Sequence, residues 1–176
     1  MPALYDLAFG YRGYAEEADF LLLEHERFAG FPARDVLELA AGPGRHSLSS
    51  LEQGLVSSAT CLDLSTEMKN YSMELAAELL PESDGFSYVV EDMRNFQLED
   101  QSFDSAWVLL GSLQHLQTNS EVIDCFRSVY KHLRPSGTLI VELPHPRETL
   151  SMVECTRNGW TVPLEDETGS DSGELQ

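Results

Sequence analysis

Apolar positions along this chain follow two rhythms. Five short, nearly continuous apolar runs have the length of strands: Val36 to Ala41, Ala59 to Leu64 (ATCLDL), Phe86 to Val90, Phe103 to Leu110 (FDSAWVLL) and Thr138 to Leu143 (TLIVEL). Between them the spacing is helical. Ala15 to Phe28 is rich in Leu and Glu, and Arg45 to Gln53 is closed by Gly54. A third helix opens on Ser65 as N-cap, carries Met68, Leu75 and Leu79 on one face with Ser72 interrupting, and stops at Pro81. In Ser120 to Leu133 the pattern predicts a buried face made of Val122, Ile123, Phe126, Val129, Tyr130 and Leu133. Pro135-Ser136-Gly137 reads as a turn. Continuous apolar strands alternating with helices predict an α/β fold, a mostly parallel sheet with helices on both faces.

After Leu143 the rhythm breaks at Pro144 and Pro146. WTVPL is strand-like, EDETGSDSG is an acidic turn, and the chain stops at ELQ. This predicts a hairpin lacking its return strand, and it leaves TLIVEL as an exposed apolar edge. The ending is expected to be either the mark of a C-terminal truncation or a disordered acidic tail.

Composition narrows the possibilities. A chain of 176 residues suffices for one domain with a sizeable core. No apolar run approaches the roughly 20 residues that cross a bilayer, and MPALYDLAFGYRGY lacks the form of a secretory signal. No membrane partner and a cytoplasmic location are therefore expected. Lys and Arg number 11 against 30 Asp and Glu, a formal net charge of −19. That balance disfavours a nucleic-acid backbone as partner. Cys61, Cys125 and Cys155 are widely spaced, with no CxxC, so neither a disulfide framework nor a metal site is predicted. Cys61 is expected to be a small core residue.

The stretch LELAAGPGRHSLSS, Leu37 to Ser50, is where chemistry is expected. Glycines between a strand and a helix let a ligand approach the backbone at the positive end of the helix. A dinucleotide turn needs GxGxxG, but Ser47 stands at the third glycine. No P-loop Lys follows. Asp63 ends the second strand about 20 residues on, where a carboxylate receives the two hydroxyls of a ribose.

VLELAAGPGRHSL, CLDLSTEM, VVEDMRNF, SFDSAWVLLGSLQHL and HLRPSGTLIVELPHP occur in the order seen in class I S-adenosylmethionine-dependent methyltransferases, and Tyr5 to Pro146 resembles that family. The resemblance implies a Rossmann-like fold, S-adenosyl-L-methionine as cofactor, and a cofactor-binding domain over 1–146. Residues 147–176 would begin a substrate-cover insert or form the acidic tail. It further implies that Glu38 helps hold the methionine amino end and that Gly42 and Gly44 belong to a glycine loop whose amides face its carboxylate. Asp63, with Leu64 after it, would take the ribose, and Asp92, with Met93 beside it, the adenine amino edge. Leu109 to Ser112, including Leu110, would line the methionine side. The sequence departs from the family at Ala40, where the G-x-G-x-G loop has its first glycine, and at Ser136, where a Pro-Gly-Gly turn has glycine. An alanine at position 40 strains the loop if its φ is positive.

Methyl transfer is an in-line displacement governed mostly by alignment, so the family has no universal catalytic residue. His115 and His145 are rim candidates for acceptor chemistry, and His46 is expected to pack near the loop. Tyr11, Arg12 and Tyr14 either close over the cofactor or pack a helix onto the sheet. The expected function is methylation of an unidentified small molecule. The alternatives are a non-catalytic, methyltransferase-like partner protein and, less well supported by the missing third glycine, a nicotinamide-dependent oxidoreductase. The oligomeric state is not legible.

Overall fold

A computed structural model describes residues 2–99, 101–145, 162–165 and 171–175. The chain divides into two units, Gly13–Leu143 and one drawn from both ends, Met1–Arg12 with Pro144–Gln176. The end unit contains α1 (Pro2–Phe9) and, later in the chain, an antiparallel pair of strands.

The larger unit alternates strand and helix: α2 (Tyr14–Ala29), β1 (Asp35–Leu39), α3 (Arg45–Glu52), β2 (Ser58–Asp63), α4 (Thr66–Leu79), β3 (Phe86–Val90), β4 (Phe103–Val108), α5 (Asn119–His132) and β5 (Leu133–Val141). A 3₁₀ turn spans Ser112–His115. The sheet order is β3-β2-β1-β4-β5, with every neighbouring pair parallel. The chain builds outward from β1 to β3 and then crosses back to β4. Strand order therefore reverses between β1 and β4, which opens a crevice at their C-terminal ends.

Strand parity sorts the core. Leu37 and Leu39 pair with Ala106 and Val108 and share one cluster with Phe96, Cys125 and Val129. Val36 and Trp107 face the other way, with Leu21 of α2. β4 is buried at all six positions, so its polar groups need partners. Asp104 accepts from the amides of Arg34 (2.8 Å) and Asp35 (3.1 Å) and pairs with Arg134 at 2.8 Å. Trp107 donates its indole N–H to Ser105 at 2.9 Å. Ser65 caps α4 by accepting from the Met68 amide at 3.2 Å.

Two expectations are corrected. The buried face of α5 is Cys125, Ser128, Val129 and His132, while Ile123, Phe126 and Tyr130 are exposed. The helix carries two adjacent stripes, and polar residues occupy the inner one because each finds a partner. His132 stacks on Phe96 and accepts from the Leu98 amide at 3.1 Å, and Ser128 donates to the Arg94 carbonyl at 3.0 Å. The hairpin does have a return strand: β6 (Val162–Glu165) pairs antiparallel with β7 (Asp171–Leu175). The acidic DSGEL segment has poor strand propensity, which hid it. No helix among the described residues is long and apolar enough to cross a membrane.

Candidate functional site

The C-terminal ends of all five strands lie along one edge of the sheet. After β1 the chain turns sharply through Ala40 (φ 50°), Gly42 (φ 53°) and Gly44 (φ 71°) into α3. The alanine thus holds a left-handed conformation, and its Cβ strains the turn. Gly44 is irreplaceable for a second reason: a Cβ there would sit 2.9 Å from Cys61 Sγ and 3.1 Å from Ser72 Oγ. The amides of the two glycines are already engaged. Gly42 donates to Asp63 Oδ2 at 3.0 Å and Gly44 to the Ala41 carbonyl at 2.8 Å. What the turn aims outward is the N-terminus of α3, the end of a helix whose amides lack partners within it.

Glu38 stands one residue inside β1, so parity turns it toward α2 and α3. It is buried, and Oε2 accepts from the Ser47 hydroxyl (2.6 Å) and amide (3.1 Å). Oε1 lies 3.5 Å from His46 Nδ1. Its place is beside the turn, bound to the N-terminal end of α3. His46 Nε2 reaches Glu17 of α2 at 2.7 Å, and Tyr14 packs edge-on against the ring. Burial pushes the imidazole down, but the Glu38 and Glu17 carboxylates outweigh it and hold its pKa above the usual value. Tyr88 donates to the Gly42 carbonyl at 2.7 Å, and burial pushes its pKa up. The Cys61 thiol, fully buried beside Glu38, is likewise pushed up.

Asp63 is half-buried at the end of β2. Oδ2 takes the Gly42 amide and Oδ1 the Ser65 amide at 2.9 Å. A carboxylate has about four lone-pair sites, so two remain for hydroxyl donors. Leu64 after it is 69% exposed. Asp92, beyond β3, is held by Arg94, whose guanidinium also reaches Glu121 at the start of α5. Hydrogen bonding to Arg94 keeps the Asp92 carboxyl below its usual range. Met93 is a core side chain, so only its backbone is left for a ligand. After β4, Leu110 turns with φ 55° and Gly111 with φ 71°, and the Leu110 amide donates to Glu142 at 3.0 Å. His115 is exposed on the 3₁₀ turn. His145, also exposed, falls in the end unit together with Tyr11 and Arg12.

The structure thus brings together the glycine turn, Asp63 and the Leu110–Gly111 turn through parallel neighbours β2, β1 and β4. Sequence reasoning missed Tyr88, Glu17 and Glu142 as supports of this edge. Each lies far along the chain from the turn it braces, and no local pattern marks it. A carboxylate with free lone pairs beside a helix N-terminus suits a ligand with a vicinal diol and an anionic end.

Sheet order, switch point and glycine turn define a Rossmann-like α/β domain. Residues 36–137, more than half of the chain, match the family model described as a methyltransferase domain, and the chain belongs to that family. The Bacillus subtilis (strain 168) protein YqeM, named as a candidate methyltransferase, is 30% identical over 142 residues, covering 76% of this chain and 55% of its own length. Streptomyces venezuelae DesVI superposes with a TM-score of 0.69 at 26% identity, over 93% of this chain and 64% of that one. The glycopeptide N-methyltransferase MtfA complexed with S-adenosyl-L-methionine gives 0.65 at 30% identity, over 80% and 59%. The chain spans about half the length of the curated relatives it matches.

Proposed function

We propose that this chain carries the cofactor-binding domain of an S-adenosyl-L-methionine-dependent methyltransferase acting on a small-molecule acceptor. The observation that carries the reading is the juxtaposition of Asp63 with the glycine turn at the β1/β4 switch point. Kinship with a glycopeptide N-methyltransferase holding the same cofactor supports it. The residues present fit such a ligand: Asp63 retains lone pairs for a ribose, and the N-terminus of α3 suits a carboxylate.

In this reading the cofactor supplies a methyl group on a sulfonium, transferred in line to the acceptor. The chain's own residues orient and shield. Asp63 fixes the ribose. Asp92, braced by Arg94, receives the adenine amino edge beside the Met93 backbone. Glu38 acts through the turn by holding α3 in place. Leu109 to Ser112 line the methionine side, and Leu64 the ribose side. Alignment of the two ligands supplies most of the rate. His115 is the rim group available for removing a proton where the acceptor needs it. The negative field of the chain favours a cationic or neutral acceptor over an anionic one.

Calorimetric titration with S-adenosylhomocysteine tests the reading. Micromolar binding is expected for the intact chain, weaker by about 100-fold or more in Asp63→Ala, the loss of two hydrogen bonds to a charged group. Absence of binding to the intact chain would sink the reading. Ala40, with φ 50°, favours one rival, a methyltransferase-like partner protein without activity. Cofactor binding without turnover across amine, hydroxyl and carbon acceptors would favour that rival.

A further inference from the structure

We propose that Arg94, clamped between Asp92 and Glu121, is a positioning residue that sets which purine the site accepts: it leaves Asp92 a single fixed acceptor, which takes a 6-amino purine and refuses a 6-oxo purine. The inference rests on the cofactor reading and names the residue behind its base selectivity.

The turn after β3 is wound around Asp92. The Asp92 carbonyl accepts from the Asn95 amide at 2.9 Å, and Oδ1 accepts from the Arg94 amide at 2.9 Å. The Arg94 side chain then folds back. Nε lies 3.0 Å from both carboxylate oxygens, and Nη2 binds Oδ2. Three donors thus occupy a carboxylate that has about four lone-pair sites. One site remains, enough for one hydrogen of an exocyclic amino group. Hydrogen bonding to Arg94 also keeps the carboxyl ionised, and an ionised carboxylate only accepts. Against a 6-oxo group it would set lone pair against lone pair.

One face of α5 holds Arg94 in this pose. Glu121 Oε1 receives Nη1, and about two turns later the buried Ser128 donates its hydroxyl to the Arg94 carbonyl at 3.0 Å. Glu121 is itself fixed, because Oε2 accepts from the amides of Gln117 (2.8 Å) and Thr118 (3.0 Å). The charged side chains of Asp92, Arg94 and Glu121 all keep partial exposure, so their ion pairs add little stability. What they fix is direction. A clamped Asp92 has already exchanged most of its water for protein donors, so an amino group meets an acceptor that needs little further ordering. Without the clamp the carboxylate can turn to water. That weakens the contact with an amino group and relieves the clash with an oxo group. The planar fork of the guanidinium is the part that matters, since an ammonium would hold neither carboxylate at a set angle.

Two ligands isolate the base edge: S-adenosylhomocysteine, and S-inosylhomocysteine, in which a carbonyl oxygen replaces the amino group. They share the ribose and the amino-acid end, so general damage to the site weakens both and leaves their ratio alone. Both are titrated calorimetrically at neutral pH into the whole chain, as wild type, Arg94→Gln, Arg94→Lys and Glu121→Gln. The glutamine at position 121 preserves the capping box and removes only the charge. The wild type should prefer S-adenosylhomocysteine by about 100-fold, a hydrogen bond to a charged group lost and a lone-pair contact put in its place. In both Arg94 variants the preference should fall to about tenfold or less, chiefly through weaker S-adenosylhomocysteine binding. Glu121→Gln should give an intermediate ratio, and it decides the matter if an Arg94 variant binds neither ligand. A ratio as high as that of the wild type in the Arg94 variants or in Glu121→Gln would overturn the role of Arg94 and leave the cofactor reading standing. A wild-type ratio near one would do the same. Failure of both ligands to bind the wild type would overturn both.

Discussion

Ala40, Leu110 and Ser136 are the non-glycine residues with positive φ among the described residues, at 50°, 55° and 66°. A left-handed conformation costs such a residue about 1–2 kcal/mol, and glycine escapes that cost while losing some of it in chain entropy. Ala40→Gly and Ser136→Gly should therefore each stabilise the fold by about 0.5–1 kcal/mol, raising Tm by roughly 1–4 °C in calorimetry. A fall in Tm in both would contradict the strained backbone. Both departures were legible as residue types, because glycine was expected at each. The sign of φ was not, since it depends on how β1 and β5 leave the sheet. Glu38 is the converse case. Its identity was visible, but its protein partners were set by parity: one residue inside β1 it lies against Cys61 and Ser47 of α3.

Helix α5 shows what periodicity can and cannot resolve. Its existence follows from the sequence, and the Thr118–Glu121 capping box, which the periodicity did not mark, fixes its N-terminus. Its inner face does not follow from the sequence, because Ile123, Phe126 and Tyr130 mimic a buried stripe. The stripe that is buried includes Ser128 and His132, whose polar atoms find partners on the segment between β3 and β4. Val129→Ala should cost about 2 kcal/mol in urea unfolding, from lost burial and the cavity left. Tyr130→Ser, at a side chain 81% exposed, should change stability by no more than about 0.5 kcal/mol. A cost at Tyr130 as large as that at Val129 would restore the face that periodicity suggested. The strands were easier to read. Continuous apolar runs such as ATCLDL have no competing period, and β3 spans Phe86–Val90 as predicted.

Across the larger unit, the Asp104 cluster and the proposed ligand site occupy opposite ends of one sheet. Asp104, at the start of β4, gathers two backbone amides and Arg134, and Arg134 also reaches Asp35 at 2.6 Å. Burial pushes the Asp104 carboxyl up, but Arg134 and the amides win and hold it below the usual range. A lowered carboxyl contributes stability above its unfolded pKa and loses it as pH falls through the folded value. Asp104→Asn should therefore cost about 2–3 kcal/mol at pH 7, and the gap to wild type should narrow as pH falls from about 5 toward 3. A gap that stays constant would remove Asp104 from the acid response. The order of strands was legible only as a class, because alternating strands and helices do not state where the chain crosses back.

At the other end, the carboxylate of Asp63 already ties the turn after β1 to the start of α4, and Tyr88 pins the same loop through the Gly42 carbonyl. The consequence is kinetic. A rim assembled before the ligand arrives leaves no slow ordering step after encounter. In stopped-flow mixing with S-adenosylhomocysteine, the observed rate should rise in proportion to ligand concentration, without a plateau, and dissociation should set the differences in affinity among variants.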